Sequence, residues 1–481
     1  MNVNTSNVRV RFAPSPTGMM HLGNVRAALL NYIFAKKHNG TFILRIEDTD
    51  AERNFDQGAA QIISDLYWLG LEFDEGPHRE GSYGPYFQSQ RTQLYKEKLE
   101  DLWVKNHIYR CFCTVEELEK RRQRQIALKQ PPRYDRTCFQ LSEQQIQDNL
   151  EQNKPFIWRL KTTQDRTITI TDLAHGKVSF NLKEISDLPL TRTDGSFTFV
   201  FANCVDDIAM KISHIIRGED HLTNTAGQIV LYEAFEAPVP LFWHLPIICN
   251  ALGKKLSKRD FGFSLDELRV AGFLPEALCN YLGIIGASFK DEIMSLQQLA
   301  HTYDFNNIHS TGHIRYDLEK LKWVNHKWIS AYDDKQLVGL CLPFLTKAFA
   351  QAEHLSDERL LYLITMVKTD LTTLADVAQE LRFCFEAPVY DAENLSFLPA
   401  DQQETLAEVL KQTVDLITKP QEFVEQIKKI AQLQNISVKH VWWSIRLALT
   451  GSAEGLGIKE LIEILGHEEA EKRLRSFTSK L

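Results

Sequence analysis

The chain has 481 residues, of which 44% are hydrophobic and 25% charged, and its net charge is −8 at pH 7. That length exceeds one ordinary core, so several domains are expected, and the composition excludes a disordered or fibrous chain. The acidic balance excludes a wholly basic surface, yet a local basic groove remains compatible with a polyanionic partner. Eight cysteines are scattered, no secretory pattern opens the chain, and no apolar run approaches the roughly 18 residues of a membrane span. A reducing cytoplasm is therefore the expected setting, with no membrane partner.

In chain order, VRVRFA (8–13) alternates as a strand with one buried face. Residues 25–38 place Val25, Ala28, Leu29, Tyr32, Ile33 and Ala35 at helical spacing, with Gly40 as a C-terminal stop. TFILRI (41–46) reads as a second buried strand. Strand, helix and strand make a βαβ unit with parallel strands, which sets residues 11–21 and 47–50 on one functional edge. Residues 61–110 read as helical. A basic helix (115–130) ends at Pro131-Pro132, and the β-branched segments TITITDL (167–173) and GKVSF (176–180) follow it. From Phe197 the αβ pattern resumes. Residues 205–214 read as helix, 214–218 as strand, 225–235 as helix and 244–250 as strand, before the basic loop 251–260. From about 265 the pattern is helical, and beyond 323–329 it contains no convincing strand.

Two segments carry chemistry. In PSPTGMMHLGN (14–24), Pro14 and Pro16 stiffen a turn while Gly18 and Gly23 allow close backbone approach. His21 lies at the mouth of a helix, where free N–H groups and the dipole suit a phosphate. In KKLSKR (254–259), four cations flank one serine. Taken alone each segment has an ordinary reading, as a stiff loop and as a solvated charge run. Placed on the same sheet edge, they would bracket a triphosphate.

PSPTGMMHLGN and KLSKR resemble the two signature motifs of class I aminoacyl-tRNA synthetases. RFAPSPTG with LRIEDTDAERN, VDDIAMKISHIIRGEDHLTNTAGQ, LGKKLSKRDF, KLKWVNHKWI and RLALTGSAEGLGIKELIEILGHEEAEKRL are similar to the bacterial-type glutamyl-tRNA synthetases, almost end to end. The resemblance implies a Rossmann-like α/β catalytic domain with an α+β insertion, then an all-α anticodon-binding region. Its expected divisions are 1–110 and 197–255 for the catalytic halves and 111–196 for the acceptor-end insertion. Residues 256–330 would form the basic loop and stem-contact region, and 331–481 the anticodon domain. The implied activity is ATP-dependent activation of L-glutamate and its transfer to the 3′ end of glutamate tRNA. Mg2+ would enter with ATP, and a monomer is expected. Two alternatives stand beside it: an enzyme that also charges glutamine tRNA, and a non-catalytic RNA-binding relic. Retention of His21, Lys255 and Lys258 argues against the relic.

By the same resemblance, His21, Lys255 and Lys258 are the catalytic donors and cations, with Lys258 foremost. Pro14, Thr17, Gly18, Gly23, Asn24 and Ser257 complete the ATP site. Arg11 and Arg217 would meet glutamate's carboxylates, since a guanidinium fork matches a carboxylate bidentately. Glu47 would meet its ammonium, with Ala13 and Ser15 lining the pocket. Phe199 stands where the family commonly has tyrosine, and Asn203 is the expected compensation. Lys120, Arg121, Arg122 and Arg124, with Lys428, Lys429, Lys439, His440 and Arg446, are the expected tRNA contacts. Cys111, Cys113 and Cys138 suggest zinc, but Gln140 stands at the fourth ligand position, so free thiols are the favoured expectation.

Overall fold

The computed structural model describes residues 7–49, 56, 59–305, 313–390, 398–414, 416–417 and 423–481. Asp50 and the rest of the motif at 51–54 lie outside these. The chain divides into two compact units, Met1–Glu267 with Leu278–Leu318, and Leu268–Ala277 with Glu319–Leu481.

In the first unit, β1 (Arg9–Phe12) and β2 (Thr41–Leu44) pair in parallel, joined through α1 (Leu22–Lys37). Helix α1 begins three residues before the expected start. His21 caps it by a reciprocal pairing with Asn24, which satisfies N–H groups at the first turn. The helix stops at Asn39, whose φ of 50° is left-handed. Gly40 is needed for a different reason: a Cβ there would lie 2.5 Å from the Val8 carbonyl oxygen.

The stretch 61–110 is not helical throughout. Helices α2 (Ala60–Trp68) and α3 (Thr92–Val104) flank an irregular segment that runs beside β2. Its backbone bonds include Leu44 N–H to the Glu75 oxygen at 2.9 Å and Ile46 N–H to the Tyr86 oxygen at 2.9 Å. The two periodic stretches, IISDLYWLGL and LYKEKLEDLWVKNHIY, contain α2 and α3, and the helical expectation fails in the segment between them. Next come β3 (Ile108–Cys111), α4 (Val115–Ala127), α5 (Glu143–Glu151) and β4 (Ile157–Leu160), with β3 antiparallel to β4. The hairpin β5 (Thr167–Asp172) and β6 (Gly176–Asn181) then returns to the main sheet.

Helix α6 (Phe199–Ala209) starts earlier than the expected 205. It leads to β7 (His214–Gly218), α7 (Leu222–Ala234) and β8 (Leu241–Leu245). Strands β7 and β8 are parallel, and Asp172 of β5 registers against Phe242 of β8. The Ser213 N–H reaches the Arg9 oxygen at 3.0 Å and lays β7 beside β1. The C-terminal ends of β1, β2, β7 and β8 therefore share one edge. A short β9 (Ile248–Cys249) pairs with Ile314–Arg315, a two-residue strand within the region expected to be helical.

The second unit contains helices and, among the described residues, no strand. Helices Gln403–Val414, Val438–Thr450 and His467–Thr478 bury Leu406, Leu410, Ile445, Leu449, Leu474 and Phe477. Among the described residues no helix is long and apolar enough to cross a membrane.

Candidate active site

The first turn and the basic loop are joined by backbone. Leu22 N–H donates to the Phe263 oxygen at 3.0 Å and Leu265 N–H to the Met20 oxygen at 2.9 Å. The Phe263 ring stacks on His21 at 5.1 Å. His21 Nδ1 accepts from Asn24 N–H at 3.3 Å, which leaves Nε2–H as the free donor. Burial, followed by the nearby Lys255 cation, lowers the His21 pKa, so the ring is neutral near pH 7. Gly23 is tight, because a Cβ there would stand 3.0 Å from His21 Cε1.

Lys255 Nζ pairs with Asp220 Oδ2 at 3.3 Å, while Lys258 is exposed. Ser257 is held by Asp260, which accepts from both its N–H and its Oγ at 2.9 Å. Pro14 is buried and its oxygen accepts from Glu47 N–H at 3.0 Å, tying the turn to the end of β2. Ala13 and Asn24 are half-buried, and Ser15, Thr17, Gly18 and Gly23 are exposed. Donors and cations thus gather at one rim, the equipment for stabilising phosphate charge.

Beneath that rim lies a buried ionic network. Arg11 is bound to Asp207 by Nε at 3.0 Å and Nη2 at 3.2 Å. Asp207 also takes Arg45 Nη1 at 2.6 Å, and Arg45 Nη2 meets Glu47 Oε1 at 3.3 Å. Asn203 donates to the same Glu47 oxygen at 2.5 Å and accepts from Gln228 at 3.3 Å. Asp206 anchors Arg91, Gln88 and Tyr95. Burial pushes the Glu47 carboxyl up to about 7, against the opposing pull of Arg45, Arg11 and Asn203.

Arg217 is buried, and burial with the neighbouring Arg11 lowers its pKa to about 10. Its Nη2 donates to Thr225 Oγ1 at 2.8 Å and its Nε to His244 Nε2 at 3.3 Å. Nη1 has no partner among the described residues, and neither has the buried Tyr232 hydroxyl. Such orphans are costly, and they mark where a polar ligand would complete the site. The Phe199 ring lies 5.6 Å from the His221 ring at a tilt of 34°.

Sequence reasoning missed Arg45, Asp206, Asp207, Gln228, Tyr232, Thr225, His244 and Asp172. The doublet Asp206-Asp207 inside an otherwise apolar helix, and Arg45 inside a buried strand, were the available signals, because such charges persist only when paired.

Away from the rim, the Cys111, Cys113 and Cys138 sulfurs lie within 4.8 Å of one another. A fourth donor also converges on them. The Tyr134 hydroxyl lies 3.3 Å from Cys111 Sγ and 3.9 Å from Cys113 Sγ, whereas Gln140 is exposed. Hydrogen bonds from Cys113 and Cys138 hold the Cys111 thiol well below its usual range, while the Cys113 thiol is pushed up. Three sulfurs and a phenol oxygen make a four-donor set whose deprotonated form would fit a tetrahedral divalent ion. Bound there, zinc would pin β3 to the 134–140 loop, a structural role.

The expected tRNA contacts divide. Lys120, Arg124, Lys428, Lys429 and Lys439 are exposed, and Lys439 lies over the Trp443 ring at 4.3 Å, beside His440. Arg122 pairs with Glu119 at 3.2 Å. Arg121 donates to Asp135 and Thr137, and Arg446 to the Leu456 oxygen at 3.0 Å.

The family described as tRNA synthetases class I (E and Q), catalytic domain, matches residues 7–323, and an anticodon binding domain family matches residues 336–478. The chain is similar to the glutamate–tRNA ligase of Bacillus pumilus, with 38% identity covering 98% of this chain and 99% of the relative. The Finegoldia magna ligase is 35% identical with the same coverage. A crystal structure of a glutamate tRNA ligase from Elizabethkingia meningosepticum in complex with its amino acid superposes with a TM-score of 0.85 at 33% identity. It covers 99% of this chain and 100% of that one. The chain belongs to the class I tRNA synthetases of the E and Q kind, carrying that family's catalytic domain and an anticodon binding domain.

Proposed function

We propose that the chain is a glutamate–tRNA ligase. The observation that carries this reading is a buried cluster in which Arg217, with its Nη1 unpartnered among the described residues, lies within electrostatic reach of Arg11 and the Glu47 carboxyl. Two guanidinium groups and one carboxylate complement an amino acid with two carboxylates and one ammonium.

The glutamate α-carboxylate attacks the α-phosphorus of ATP and pyrophosphate leaves. A 3′-terminal ribose hydroxyl of tRNA then attacks the adenylate carbonyl and AMP leaves. The first nucleophile is already an anion, so the site supplies position and charge rather than a base. Arg217 takes the side-chain carboxylate and Glu47 the ammonium. His21 Nε2–H, Lys255 and Lys258 face the phosphates. Mg2+ carried by ATP would further neutralise those phosphates. Lys120, Arg122 and Arg124 contact the acceptor end, and Lys428, Lys429 and Lys439 the anticodon side. The chain acts as a monomer in the cytoplasm, and its catalytic halves, insertion and helical tail follow the divisions expected from the motifs.

ATP–pyrophosphate exchange with tRNA present, run against glutamate, glutamine and aspartate, tests this reading. Glutamate should be the substrate used. Equal or greater use of glutamine would remove Arg217 from its assigned role.

A further inference from the structure

Behind Arg217 stands a buried relay that the reaction does not itself require. Arg217 Nε donates to His244 Nε2, and His244 Nδ1 lies 2.7 Å from Asp172 Oδ2. His244 and Asp172 are almost fully buried. The other Asp172 oxygen is committed, accepting from the backbone N–H groups of Ala174 and His175 at 2.9 Å each and contacting His175 Nδ1 at 3.0 Å. With a carboxylate at Nδ1, His244 carries its proton there and presents a lone pair at Nε2. That lone pair is what an arginine N–H needs. Thr225 Oγ1 takes Nη2 and itself lies 3.0 Å from His244 Nε2, so two edges of the guanidinium are fixed and the buried Nη1 is left without a partner among the described residues. Phe242 stacks parallel to His244 at 5.7 Å and fixes the plane of the ring.

Asp172 belongs to the inserted segment. Strand β5 reaches the main sheet at this residue, where the Leu173 N–H bonds to the Phe242 oxygen at 2.8 Å. We propose that Asp172 and His244 are positioning residues that hold the His244 tautomer and thereby aim Arg217 Nη1 at the side-chain carboxylate of glutamate. The inserted region thus contributes to amino-acid recognition through a contact with no ligand of its own. This rests on the reading of Arg217 as the receptor for that carboxylate.

The substitution D172N tests the tautomer directly. Its amide oxygen would stay with the Ala174 and His175 N–H groups, turning the NH2 toward Nδ1, which must then accept. The NH2 also turns toward the His244 backbone N–H, from which Oδ2 accepts at 3.1 Å, a backbone cost that H244F, which leaves Asp172 in place, separates from the tautomer. The His244 proton moves to Nε2 and opposes the Arg217 N–H. Glutamate KM should rise about tenfold, the scale of losing a hydrogen bond to a charged group, while ATP KM stays within about twofold. H244F keeps the ring packing, lacks the acceptor and should match D172N. H244Q restores an acceptor near Nε2 and should raise glutamate KM only about twofold. In the H244Q background D172N should add little, because glutamine has no tautomer to invert.

All variants are to be assayed as full-length chains by aminoacylation, with thermal unfolding alongside. The proposal is overturned if D172N leaves glutamate KM unchanged while R217Q raises it. It is overturned equally if D172N raises glutamate and ATP KM together, or if its effect is fully additive with H244Q. If R217Q itself leaves glutamate KM unchanged, the reading of Arg217 fails instead.

Discussion

Glu47 offers a prediction whose sign and size follow from its surroundings. Its carboxyl is buried, and burial lifts its pKa from the ordinary 4.5 to about 7. The folded value lies above the unfolded one. Its contribution to stability is therefore fully present below about 4.5 and is lost as pH climbs through 7. At about 1.4 kcal/mol per pH unit, the loss is about 3 kcal/mol by pH 8. The ammonium of glutamate requires the ionised form and supplies the charge that burial withholds. Binding should therefore release a proton near pH 6.5, and glutamate affinity should improve through pH 7 before reaching a plateau. The assay is calorimetric titration of glutamate from pH 5.5 to 8.5 in two buffers of different ionisation enthalpy, repeated with E47Q. The variant should bind weakly with no pH step and unfold at higher temperature than the native chain at pH 8. A native Kd flat across this range, or E47Q binding as tightly as the native chain, would refute the assignment.

Replacing Lys258 with alanine should lower adenylate formation by orders of magnitude with unfolding unchanged, since the side chain is exposed; near-normal turnover removes it from the mechanism. Gly23→Ala places a methyl about 3 Å from the His21 ring and should reduce kcat about tenfold with little change in glutamate KM; a normal kcat would show that His21 tolerates displacement. Metal analysis of protein purified without chelator should find about one zinc per chain, and C138S should abolish it. Metal-free native protein with three titratable thiols would contradict the four-donor fit.

The parts of the fold carried by local signals were legible in the sequence. The alternation around Arg9–Phe12, the proline-glycine turn and the helix after it place the first motif without any tertiary information. Boundaries shifted where side chains took over backbone duties. His21 and Asn24 start α1 early, and Asn39 rather than Gly40 makes its left-handed stop. The two periodic stretches of 61–110 do form α2 and α3, but the segment between them bonds along β2, a non-local pairing that helical periodicity on either side could not reveal. In the site, Arg11 and Glu47 could be named from the edge they occupy. Their controlling partner Asp207 could not be paired with Arg11 from pattern alone, because the two lie 196 positions apart. Tyr134 escaped notice because a phenol four residues before a cysteine carries no ligand signature of its own.

The central claim is that this chain joins glutamate to tRNA at the buried cluster of Arg11, Glu47 and Arg217. Aminoacylation with radiolabelled glutamate, on glutamate tRNA and glutamine tRNA separately, tests it most directly when run on the native chain and R217Q together. The account predicts charging of glutamate tRNA by the native chain and a sharply raised glutamate KM in the variant. Absence of charging by the native chain, or an unchanged glutamate KM in R217Q, would contradict it.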